Sequence, residues 1–179
     1  MSVDYIRVEV PELYPAVMAT AGAIAFQCLI IGFSAGGSRK TMFAADKMKE
    51  KFGEQHQKDF GKDPPKGGYP DHGDGRYGNA VLSYTDWIKF SLSQRSHKNF
   101  LEQVTIVVFL LLTIGFVWPE VALAFGALHF IFRFIFVFGY RKGSKWRMIG
   151  GMPINFSLFA MFVIAIVACS IWIYEVYSQ

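Results

Sequence analysis

A chain with four nearly uncharged runs of about 20 residues has few ways to fold, because each run is long enough to cross the hydrocarbon core of a bilayer as a helix. Residues 14–33, 100–118, 121–140 and 154–174 are such runs. The first and fourth carry no charge. The second admits Glu102 near its start, and the third admits Arg133 together with His129. Four buried helices of this kind in a soluble chain of 179 residues would leave too little polar sequence to cover them. The composition, 53% hydrophobic with 17% aromatic, agrees. The expected fold class is an all-α membrane protein, a four-transmembrane-helix bundle in which residues 1–179 form one membrane domain.

Lysine and arginine predict how the helices are threaded. Arg39, Lys40, Lys47, Lys49, Lys51, Lys58, Lys62, Lys66, Arg76, Lys89, Arg95 and Lys98 fall between the first run and the second. Arg141, Lys142, Lys145 and Arg147 fall between the third and the fourth. The N-terminal tail offers only Arg7. The positive-inside rule places both basic loops in the cytosol, or in the matrix of a mitochondrion, and both termini on the opposite side. The net charge of +4 follows from that topology and calls for no nucleic-acid partner. The leading "MSVDYIRVEVPELYP" has neither the basic start of a signal peptide nor the acid-poor character of a transit peptide. Cys28 and Cys169 lie inside apolar runs and imply no disulfide.

The polar loop 41–90 divides in two. "ADKMKEKFGEQHQKDFGK" has the pattern of a short, solvated amphipathic helix, and "DPPKGGYPDHGDGRYGN" is turn chemistry. Asp71, His72 and Asp74 suit turns better than a metal site, so no metal is expected.

Chemistry concentrates around the second and third runs. In "QRSHKNFLEQ", Arg95, Asn99 and Glu102 are spaced i, i+4, i+7 and fall on one helical face. In the third run Arg133, Phe136 and Tyr140 are spaced i, i+3, i+7 and again share one face, with Arg133 about 10 Å below Tyr140, and Arg147 follows seven residues later. An ionised group at the bilayer centre costs about 2.5–3.5 kcal/mol on insertion scales, so these groups must pair or face a wet cavity. One reading is a structural ion pair between Glu102 and Arg133 with Asn99 as hydrogen-bonding glue. It leaves Arg95 and Arg147 as surplus cations, as a site for an anionic, multiply hydrogen-bonding ligand would.

"QRSHKNFLEQ" and "RFIFVFGYRKGSKWR" together resemble the membrane-associated proteins in eicosanoid and glutathione metabolism, the MAPEG family, and within it the microsomal glutathione transferase type-3 branch. The resemblance implies a homotrimer of four-helix protomers with glutathione between neighbours and a lipophilic substrate arriving from the membrane lipids. It implies that Arg95, Asn99, Glu102, Arg133 and Tyr140 bind glutathione, and that Arg147 is the catalytic residue activating its thiol. The chain departs from the family pattern at Phe136, where a tyrosine is common, at Gln103, where an aromatic is common, and in its long first loop. Two functions are expected. One is a glutathione transferase or peroxidase of the endoplasmic reticulum or a mitochondrial membrane. The other is a non-catalytic subunit of a larger membrane assembly such as a respiratory complex.

Overall fold

The computed structural model describes residues 9–67, 80–142 and 144–178. Among them run helices α1 (Tyr14–Met42), α2 (Ala45–Phe60), α3 (Tyr84–Gly115), α4 (Pro119–Lys142) and α5 (Ser144–Tyr177). The described residues contain no strand. Each of α1, α3, α4 and α5 is long and apolar enough to cross a membrane. The chain is an all-α membrane protein with four transmembrane helices. Asp71, His72 and Asp74 lie outside the described residues.

The helices overrun their apolar stretches at the basic ends. Helix α3 begins at Tyr84 because "YTDWIKFSLSQRSHKN" contains neither glycine nor proline to stop it. Its 32 residues span about 48 Å, more than the roughly 30 Å of hydrocarbon, so its polar N-terminal turns extend beyond the core or tilt within it. Helix α5 likewise starts ten residues before Ile154 and keeps Pro153 inside. Transmembrane helices tolerate such a proline where neighbouring groups satisfy the freed carbonyl.

The chain forms two compact units, Met1–Cys28 with Leu101–Gln179, and Leu29–Phe100. In the first, each helix buries a stripe at helical spacing. Val17, Ala21, Ile24 and Cys28 come from α1, and Val107, Leu111 and Ile114 from α3. Ala122, His129 and Arg133 come from α4, and Ile154, Met161, Ala165 and Ala168 from α5. Helices α4 and α5 pack against each other, and two glycines set their separation. A Cβ on Gly139 would lie 2.5 Å from the carbonyl oxygen of Trp146, and one on Gly150 would strike the backbone nitrogen of Phe136. Lipid supplies no hydrophobic drive for helices to associate, so small residues that let backbones touch carry much of the packing.

The second unit gives the polar loop a core of its own. Met48 of α2 is buried with Phe43, Leu82 and Phe90, flanked by Phe52 and Trp87. Thus α2 is amphipathic, as its sequence suggests, but one face is packed and not solvated. Gly61 ends the helix in the left-handed region (φ 67°), with its N–H on the Gln57 carbonyl at 2.9 Å. Beyond it, Asp63 pairs with Lys49 at 2.8 Å, and the Gly67 N–H returns to the Phe43 carbonyl at 3.0 Å.

Candidate functional site

Arg133, near the middle of α4, is fully buried. A guanidinium cannot enter a membrane protein without acceptors, because its donors would otherwise lose their bonds to water. Its Nη2 donates to Oε1 of Gln103 on α3, and Nε2 of Gln103 donates to Oδ1 of Asn155 on α5 at 3.3 Å. A single amide therefore ties α3 to α4 and to α5. The guanidinium carbon also lies 5.3 Å from the centre of the Phe136 ring, within cation–π range.

The contacts continue toward the basic end. Phe136 meets Tyr140 edge to face at 5.0 Å, and Arg147 of α5 stands with its guanidinium carbon 5.3 Å from the Tyr140 ring centre. Asn155, Gln103, Arg133, Phe136, Tyr140 and Arg147 thus form one run of contacts, from a buried cation to an exposed one. The glycine contacts between α4 and α5 put Arg147 there, since Gly139 packs against the Trp146–Arg147 peptide.

Glu102 stands outside this run. Adjacent residues on a helix point about 100° apart, and it is Gln103 that faces Arg133, leaving Glu102 exposed. The Glu102–Arg133 ion pair considered from the sequence is replaced by an amide–guanidinium bond. Gln103→Leu is therefore expected to destabilise the protein by about 1.5–3 kcal/mol, the range for a hydrogen bond to a charged group. Glu102→Ala should stay within about 0.5 kcal/mol of the wild type, as exposed positions do. Thermal melts in one detergent decide; the reverse order of damage would restore the ion pair.

In the second unit, α3 carries Arg95 exposed and Asn99 half-buried, one helical turn apart. Between them His97 fills a notch on α1, where a Cβ on Gly32 would lie 2.7 Å from its Nε2. The sequence reading missed Gln103 and Asn155 as structural partners. It also missed Gln27, whose Nε2 donates to the Phe130 carbonyl at 2.9 Å while the side chain is 2% exposed. A signal was present: Gln27 and Asn155 are the lone amides of their apolar runs, and an amide facing hydrocarbon has no partner but another helix.

The model of the MAPEG family covers residues 17–167, a stretch that contains Arg95, Asn99, Glu102, Arg133, Tyr140 and Arg147. No curated protein matches the chain.

Proposed function

The chain belongs to the MAPEG family, and from that premise we propose that it is a membrane glutathione transferase or peroxidase of the type-3-like kind, acting on lipophilic electrophiles or lipid hydroperoxides. The observation that carries this reading is that Gln103, not Glu102, serves the buried Arg133. Glu102 is left exposed, on the same helix as exposed Arg95, and Arg147 is exposed beside Tyr140. None of these three charges is consumed in burying another. Glutathione carries two carboxylates, an ammonium and a thiol, and this set of groups complements it.

In this reading Arg95 and Asn99 hold a carboxylate and the peptide end, Glu102 the ammonium, and Tyr140 a further polar group. Arg133, being buried, supports the Tyr140 end through Phe136. Arg147 holds the sulfur as thiolate, which attacks the electrophile while the leaving group departs. The working unit is a homotrimer in the endoplasmic reticulum or a mitochondrial membrane, with both termini opposite the basic loops.

A second reading, a non-catalytic subunit of a larger membrane complex, is favoured by the packed core of α2 and its flanking segments. That core makes the long loop a shaped surface suited to holding a partner. Calorimetric titration separates the two. The purified protein should bind glutathione saturably, and Arg95→Ala should weaken binding by about 1.5–3 kcal/mol, as for a charged hydrogen bond. No heat at millimolar glutathione would set the enzyme aside in favour of the subunit.

A further inference from the structure

At the end of the first unit away from Arg147, a recess of about 420 Å³ opens between α1, α3 and α5. Ring contacts shape its walls. Tyr14 lies over Gly115, where a Cβ would sit 3.3 Å from its ring, and packs on Phe116 with ring centres 4.3 Å apart. Phe116 in turn stacks on Trp172 with their planes 2° from parallel. The space exists because α5 presents small residues, Ala168 and Cys169, to the lining.

The chemistry of the walls selects the occupant. Water held in a cavity needs about 2–4 polar partners. Below the rings the lining offers a thiol, which is a weak partner, and the hydroxyl of Thr113, which already donates to the Phe109 carbonyl at 2.8 Å. The recess is of small-molecule size, at the lower end of the roughly 300–1,000 Å³ range. All three of its helices are membrane spans, so its apolar lining belongs to a membrane-embedded part of the chain. Tyr14 and Trp172 stand at the ends of α1 and α5, and such residues pair an apolar body with a polar tip at the level of lipid ester groups.

We propose that this recess is a binding site for one phospholipid, which lays an acyl chain between α3 and α5 and places its ester region beside Tyr14 and Trp172. Tyr14, Ala168, Cys169 and Trp172 fall outside the stretch 17–167 matched by the family. They complete a lining that Phe109, Leu112, Thr113, Phe116 and Val117 begin, and the site stands independently of glutathione chemistry.

The test uses the full chain and dioleoyl phosphatidylcholine. Native mass spectrometry after extensive detergent washing should find one phospholipid retained by the wild type. In Cys169→Phe, which fills the recess, the retained fraction should fall about tenfold. Added lipid should also slow alkylation of wild-type Cys169 by N-ethylmaleimide about tenfold, with buried Cys28 as internal reference. Thr113→Phe replaces Cys169→Phe if that variant does not fold, and the wild-type alkylation needs no variant. Undiminished retention in the filled variant, or alkylation indifferent to lipid, would overturn the proposal. So would a loss of self-association in the variant with lipid retention unchanged, since a second copy of the chain would then be the occupant.

Discussion

Leucine at position 150 is expected to leave the protein unable to reach a stable, monodisperse state in detergent. Alanine there should already cost about 1–3 kcal/mol, the usual range for overpacking. The reason is the kind of atom that is met. A Cβ on Gly150 would strike the backbone nitrogen of Phe136 and lie 2.6 Å from its Cα, and neither can rotate aside as a side-chain tip does. Relief requires α4 and α5 to separate, which also opens the contact of Gly139 with the Trp146–Arg147 peptide. Leucine asks for several times that displacement and should exceed about 4 kcal/mol, a loss larger than most single substitutions cause.

Gly22→Ala is the control, since nothing lies within 4 Å of the added methyl. It should be neutral or stabilising by about 0.5–1 kcal/mol, because alanine loses less entropy than glycine in a helix. Thermal melts of Gly22→Ala and Gly150→Ala side by side provide the measurement. Equal melting temperatures would mean that the two helices are not held at backbone distance. Because the same packing seats Arg147 beside Tyr140, Gly150→Ala should also weaken glutathione binding, whereas Gly22→Ala should leave it intact.

What the sequence discloses here depends on how local each cause is. The four helices were legible because a transmembrane run is written in consecutive residues, and hydrocarbon permits it only the helical state. The start of α3 was not, since residues 84–94 have no apolar run to announce a helix, only an absence of breakers. The stripe of Arg95, Asn99 and Glu102 was legible as spacing on one helix. Which neighbour satisfies Arg133 was not, because Glu102 and Gln103 are adjacent in sequence and differ by the rotation of α3 against α4, a tertiary quantity. Charge favoured Glu102; geometry chose Gln103. The packed face of α2 was hidden for the same reason. Met48 and Phe52 read as a modest amphipathic pattern until Phe43 and Phe90 supply the surface they cover.

Arg147→Leu should abolish the near-ultraviolet thiolate absorbance of bound glutathione and lower the conjugation rate at pH 7 by about 30-fold, since a thiol with an ordinary pKa of about 8.5 is only about 3% ionised there. Arg147 sits in the first turn of α5, exposed, with its guanidinium beside the ring of Tyr140. Its removal costs at most an exposed cation–π contact, about 0.5–1 kcal/mol, so the fold should survive. A free thiol has a pKa near about 8.5, and a fixed cation at the sulfur lowers it, so that thiolate is already abundant at neutral pH. The sign of the pH dependence follows. Wild-type activity should reach its plateau well below that value. The leucine variant, left with an ordinary thiol, should climb with rising pH through about 8.5 and approach the wild type only on the alkaline side. Lysine should restore part of the absorbance, because it supplies the charge without arginine's planar, fixed set of donors. A leucine variant with unchanged glutathione affinity, an unchanged thiolate signal and the wild-type pH profile would remove Arg147 from the chemistry and leave it as a ring contact of Tyr140. If instead neither protein binds glutathione, the family fold is serving as scaffold, and the absorbance experiment has nothing to report on.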